Sequence, residues 1–314
     1  MPTTATNEPV FTLLRKVQVS APELSQEQTD KIAALTANVP ELIAAVDGIT
    51  PEETATLTQF ADDRCIRRYL TATKWDLDAA IAKLQGTLVW RKEYKPDQIN
   101  ANEVEIEAEC GKGYMTGFDK AGQPVIYAVA RLDVTKTWDR ALRFALFMIE
   151  RGLKVADKEG TEKLCIVLDN EGLGVFNAPP VSFVTQFLGI TEKHYPERLG
   201  SAIMLSPTWV IWGLYKLVSP FLDPVVKSKV YFATITKPEE EVKLKKSWSV
   251  ANMFGKVIEE KEEAESSSSE DVSGTGGWVK IESLIDVSQL PVQYGGSFNF
   301  EYQHESYWKA VTAL

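Results

Sequence analysis

Apolar positions change their period twice along this chain. Between residues 62 and 92 they recur at helical spacing: Asp62 can cap a helix that turns Cys65, Ile66, Tyr69 and Leu70 to one side. Asp76 can cap a second helix with Leu77, Ile81, Leu84 and Leu88 on one face, ending near Trp90-Arg91-Lys92. Upstream, Gln26–Ala37 and Pro40–Val46 suit two short helices, and the remainder of residues 1–60 is weakly patterned. From about residue 112 short apolar runs alternate with amphipathic segments. Val125–Ala130, Leu164–Asp169, Ser201–Leu205 and Val230–Ala233 read as buried strands. Asp139–Ala156, Val181–Tyr195, Trp209–Val218 and Val225–Lys229 read as the helices between them. Such alternation predicts an α/β layer with a mainly parallel sheet, preceded by a small helical module. Two domains are therefore expected, 1–95 and 96–314.

Trp209–Val218 departs from the ordinary amphipathic pattern. Its apolar side chains sit on most sides, so it is either buried all round or meets something greasy that is not protein. Ser206-Pro207 and Ser219-Pro220 confine it to about 15 Å, too short to span a bilayer. Residues 259–277, rich in glutamate and serine, are expected to form a disordered insertion, with structure resuming at Val279-Lys280-Ile281 and a turn at Gly295-Gly296.

Charge narrows the classes of partner. The net charge is −10 over 314 residues, and the stretch 259–271 holds seven acids against one lysine. The rest is close to neutral, which argues against nucleic acid as a partner. Cys65, Cys110 and Cys165 are far apart and fit reduced thiols in a cytoplasmic protein. Neither a signal peptide nor a lipidation motif is evident: position 2 is Pro2. Two histidines, His194 and His304, are too few for a histidine-rich metal site, and His194 suits a helix C-terminus. Neither a nucleophile elbow nor a phosphate loop is present. Asp169 and Glu171 could pair as carboxylates, but a cap and a solvated loop acid explain them as well. No nucleophile, base and orienting group can be assembled, so the chain reads as a non-enzyme that needs no cofactor.

Four blocks, in order over about 240 residues, resemble the CRAL-TRIO lipid-binding family. They are Arg68-Tyr69-Leu70 with Lys74-Trp75-Asp76 and Trp90-Arg91-Lys92; Tyr195-Pro196-Glu197-Arg198-Leu199-Gly200; Pro220-Phe221-Leu222-Asp223-Pro224-Val225 with Ser228-Lys229-Val230; and Leu290-Pro291-Val292-Gln293-Tyr294-Gly295-Gly296. Within that family the chain most resembles fungal phosphatidylinositol-transfer proteins of the yeast type. The tail from Phe298 to Trp308 resembles the branch tied to azole tolerance and sterol handling.

The resemblance implies a sheet flooring an apolar lipid pocket and a movable lid. Lid and pocket residues would be Trp209, Ile211, Trp212, Leu214, Tyr215, Val218 and Phe221, with hinges at Gly200, Gly295 and Gly296. It also implies a headgroup set at Glu197, Lys229 and Lys74, cations being needed where a phosphate is buried. Two positions depart from that pattern: Val226 stands where the family has threonine, and Thr73 where it has a basic residue. Leu164 and Ile166 lack the polar groups of a choline site, and Asn170 stands where a haem ligand would fall. The expected activity is lipid binding and intermembrane transfer, phosphatidylinositol first. A sterol or other hydrophobic cargo, or a lipid-gated scaffold, is the alternative. The chain would be cytoplasmic, touching membrane surfaces transiently, with a regulatory partner conceivable at the 259–271 loop.

Overall fold

A computed structural model describes residues 5–13, 17, 23–235 and 275–314. Four helices form the N-terminal module: α1 (Gln26–Ala44), α2 (Pro51–Phe60), α3 (Asp63–Ala72) and α4 (Leu77–Tyr94). Each opens on a side-chain cap, from Ser25, Thr50, Asp62 and Asp76, and the first two complete a capping box with Gln28 and Glu53. Their apolar faces meet in one cluster that includes Leu35, Ile43, Leu57, Ile66, Leu70 and Leu84. The two short helices expected before residue 47 are in fact one, with Pro40 inside it. Leu35, Val39 and Ile43 are buried on either side of Pro40, so packing of the face outweighs one missing backbone bond. Helix α2, unexpected from the apolar pattern, carries its signal in the cap Thr50-Pro51-Glu52-Glu53.

Next come α5 (Ala101–Ala108) and a six-stranded sheet: β1 (Gly113–Phe118), β2 (Pro124–Val129), β3 (Leu164–Asp169), β4 (Leu199–Leu205), β5 (Val230–Thr234) and β6 (Gly277–Lys280). The strands lie in chain order; β1 is antiparallel to β2 and every later pairing is parallel. The mainly parallel layer read from the sequence is therefore present. The connecting helices are α6 (Trp138–Glu159), α7 (Val181–His194), α8 (Trp209–Val218) and α9 (Pro224–Ser228), and α10 (His304–Thr312) ends the chain. The expected insertion 259–277 lies outside the described residues as far as 274, and its last residue, Gly277, already belongs to β6.

Parallel strands in sequential order, joined by right-handed crossovers, carry their helices on one face. The packing agrees. Gly152 of α6 lies against Met115, Ile126 and Leu164, while Trp212 and Tyr215 of α8 cluster with Ala202, Met204 and Phe232, all of one side-chain parity. The other face is covered by the C-terminal segment: Tyr294 stacks on Tyr127 at 5.3 Å and Tyr114 stacks on it at 5.0 Å.

A polar seam joins the helical module to the sheet domain. Arg91 grips Glu150 with both ends of its guanidinium, at 2.9 and 3.2 Å, and the Tyr195 hydroxyl donates to the same carboxylate at 2.7 Å. Arg68 reaches Glu162 across the same seam at 2.7 Å, and within the sheet domain Arg198 holds Asp157 in a forked way, at 2.6 and 3.0 Å. His194, at the end of α7, stacks on Trp90 at 4.3 Å, with its Nδ1 3.1 Å from the Thr87 hydroxyl. Burial, reinforced by the positive charges of Lys193, Lys83 and Arg91, pushes the His194 imidazole down to about 4. The folded state thus keeps a neutral ring where the unfolded chain takes a proton near 6.5. The unfolded state binds more protons between those values, so stability present above pH 6.5 is lost as pH falls towards 4. Melting temperature measured across that window should fall in the wild type. It should fall less in His194→Phe, which can stack on Trp90 but cannot take a proton.

Candidate functional site

Burial alternates along the two central strands. Cys165, Val167 and Asp169 of β3, and Ser201, Ile203 and Leu205 of β4, are buried on the face sealed by the C-terminal segment. On the helix-bearing face Ile166 and Leu168, Ala202 and Met204, with Ala128 of β2, are only half-buried. Register places them in contiguous rows, Ile166 beside Ala202 and Leu168 beside both Ala128 and Met204. Apolar side chains in the middle of a six-stranded sheet normally disappear beneath a helix. Here they keep partial exposure.

The helices over that face are loosely seated. No residue of α7 is buried, although Phe183, Phe187 and Ile190 lean on the main core. Helix α8 buries Ile211, Tyr215 and Val218 and leaves Trp212 and Leu214 half-buried and Trp209 exposed. Its anchor is at the β5 side, where Trp212 stacks on Phe232 at 4.4 Å and Tyr215 meets the same ring edge-on at 5.4 Å. Phe221 closes the single helical turn Ser219–Phe221 that follows. Ser206, just before α8, has a left-handed φ of 48°.

The glycines expected as hinges sit in confined or turn positions. Gly200 lies inside β4, where a Cβ would collide with the Gln123 amide, and a Cβ at Gly296 would strike the Leu290 carbonyl. Gly295 takes φ 89° in the turn after Tyr294. None of the three adjoins α8; Ser206 was read from the sequence as a boundary of that helix and not as a hinge.

Polar groups gather at the other end of the strands. Glu197, itself left-handed at φ 57°, brings Oε2 to 3.4 Å from Lys229 Nζ and to 3.4 Å from Lys163 Nζ. Lys163 directly precedes β3, Glu197 lies two residues before β4, and Lys229 directly precedes β5. Three adjacent strand starts thus present one carboxylate between two ammonium groups, an excess of one positive charge. Glu197 and Lys229, two of the residues the resemblance implies for a headgroup, are neighbours; Lys163 went unnoticed because only the sheet order makes it one. Val226 is half-buried in α9, its carbonyl accepting the Lys229 backbone N–H at 3.0 Å. Thr73 turns its hydroxyl to the Tyr69 and Leu70 carbonyls, 3.1 and 3.2 Å away, at the end of α3. Lys74 is exposed at φ 53°. Among the described residues no hydrogen bond or ion pair joins Thr73 or Lys74 to Glu197.

Asp169 is held by Arg131 and accepts from the Tyr294 hydroxyl at 3.2 Å and the Glu171 N–H at 3.1 Å. The amide of Asn170 donates to the Leu168 and Leu205 carbonyls, at 2.8 and 3.1 Å. These groups tie strand ends together. Among the described residues no cluster could hold a metal ion, and no helix is long and apolar enough to cross a membrane.

Family models for the CRAL/TRIO domain and the CRAL/TRIO N-terminal domain match residues 108–249 and 24–86. The chain belongs to the CRAL-TRIO family. Among its CRAL-TRIO relatives is the phosphatidylinositol transfer protein PDR17 of Saccharomyces cerevisiae, 30% identical over 78% of this chain and 60% of that protein. The phosphatidylinositol transfer protein CSR1 of Eremothecium gossypii is 28% identical over 72% of this chain and 55% of that one. A CRAL-TRIO domain-containing protein of Schizosaccharomyces pombe is 28% identical over 80% of this chain but only 20% of its own length. The chain thus spans between a fifth and three fifths of these relatives. The crystal structure of Sfh5 shares the fold, with a TM-score of 0.53 and 19% identity over 68% of this chain and 82% of that one.

The difference between the two faces can be measured. Ala233 is fully buried on the sealed face, and Ala202 is half-buried on the open one. Ala233→Leu should cost about 1–3 kcal/mol by overpacking, read as a lower urea midpoint. Ala202→Leu should leave the midpoint within about 0.5 kcal/mol of wild type.

Proposed function

We propose that this chain binds one lipid on the open apolar face of its sheet, beneath α7 and α8, and transfers it between membranes. The observation that carries the reading is the half-buried patch of Ala128, Ile166, Leu168, Ala202 and Met204 in the middle of the sheet. Covering such a floor with acyl chain is worth about 25 cal/mol per Å², or roughly 10 kcal/mol for 400 Å². That gain needs no catalytic group. Helix α8 acts as the lid: its anchor on Phe232 is a stacked pair, and Ser206 is a strained pivot before it. An exchange cycle swings the lid away at a bilayer and returns it over the guest.

Phosphatidylinositol is the favoured cargo. The names of two relatives support it, and so does the Lys163–Glu197–Lys229 group, whose surplus cation suits a phosphodiester while the carboxylate can accept from inositol hydroxyls. A second reading, a sterol or another neutral hydrophobic cargo, is favoured by Val226 and Thr73. The first has no hydroxyl to offer, and the second uses its own within the end of α3.

Lipid extraction and native mass spectrometry of the purified protein should reveal one bound lipid per chain. Lys229→Ala should lower phosphatidylinositol transfer between vesicles about tenfold, the loss of one charge-assisted contact, and Val226→Thr should raise it. A co-purifying sterol, with transfer indifferent to Lys229→Ala, would favour the second reading. A chain that carries no lipid and exchanges none would end both.

A further inference from the structure

The connections leaving β2, β3 and β4 rise from one rim of the sheet, because parallel strands end on the same side. Each carries exposed apolar side chains. Val134 lies on the first, Val175 and Phe176 on the second, and Trp209 on the third, with Val134 and Trp209 73% and 72% exposed and Phe176 fully so. From this we infer that the rim is a bilayer-insertion tip centred on Phe176, separate from the headgroup residues at the opposite ends of the strands.

Phe176 is not exposed by slackness. The Asn177 side chain accepts from the Gly174 N–H at 2.6 Å and donates to the Gly172 carbonyl at 3.1 Å, while the Ala178 N–H reaches the Gly174 carbonyl at 2.9 Å. The loop is a hydrogen-bonded knuckle that holds Val175 and Phe176 outward. It is also tied to its neighbour, for Lys136 Nζ lies 3.4 Å from the Phe176 carbonyl. A monomer gains nothing by building such a knuckle around a phenyl ring facing water.

Charge and continuity select the occupant. Three acidic groups near the rim are matched: Asp133 lies 2.7 Å from Lys112, Asp169 is held by Arg131, and Glu171 is 3.7 Å from Arg131; Asp139, in the first turn of α6, is exposed. Lys136 is exposed beside them, a cation suited to the phosphate level of a membrane. Trp209 is of the residue type that settles at that level. The rim borders the open sheet face, so a bilayer resting on it would continue the apolar floor into acyl chains, giving a lipid a dry route. In that respect the inference rests on the lipid-binding reading.

The test is co-sedimentation of the full chain with vesicles of phosphatidylcholine and phosphatidylserine, together with native mass spectrometry of bound lipid. Phe176→Asp and the milder Phe176→Ser should keep the wild-type melting temperature and lipid occupancy. Both should weaken vesicle association, Phe176→Asp by at least about tenfold, or about 1.4 kcal/mol. Vesicle association of Phe176→Asp equal to wild type would overturn the tip. An empty wild-type protein whose vesicle binding still depends on Phe176 would sustain the tip while removing the pocket reading.

Discussion

The two faces of this protein's sheet are covered unequally. Tyr294, Tyr127 and Tyr114 stack under the C-terminal segment and seal one face, while apolar residues at the centre of the other remain half-buried. A parallel sheet is stable when both faces are covered. Here one face is sealed and holds the strands in register, while Ile166, Leu168, Ala202 and Met204 at the centre of the other keep partial exposure. The loose seating of α7, the edge anchoring of α8 and the apolar character of α8 follow from that asymmetry.

Charge is distributed to suit. Across the seam with the helical module, guanidinium groups meet acids: Arg91 of α4 grips Glu150 in a forked pair and Arg68 of α3 reaches Glu162 at 2.7 Å. The sheet's position against α3 and α4 is therefore held by directional contacts as well as by apolar packing. Lys163 and Lys229 around Glu197 are different: two cations share one carboxylate, and the sheet places that surplus at the strand starts. The apolar rim lies at the strand ends. A parallel sheet has distinct ends, and this one places the Glu197 group at one and the exposed apolar side chains at the other.

Much of the architecture was legible in the chain itself. The helical period of residues 62–92, the apolar runs of β2 to β5 and the caps at Asp62 and Asp76 all appear where the pattern put them. Strand β1 did not stand out. Gly113 and Gly117 interrupt it, the register shifts between Met115 and Phe118, and every position is buried, so no alternation marks it. Helix α10 buries only Tyr307, Trp308 and Val311 among polar neighbours, too few for a clear period. Continuity through Pro40 was decided by tertiary packing, which local propensity does not contain.

Local pattern by itself determined which segments become helices and strands and that the sheet would be mainly parallel, while the grouping of Glu197 with Lys229 came from the family resemblance. It could do so because capping, periodicity and short motifs act between residues near in the chain. The tertiary structure alone decided that Lys163 joins them, that Phe176 is held outward, and which face of β3 and β4 stays open. A run such as Leu164-Cys165-Ile166-Val167-Leu168 is apolar on both sides. Whether each side meets protein or a space depends on where distant segments pack, and no local period encodes that.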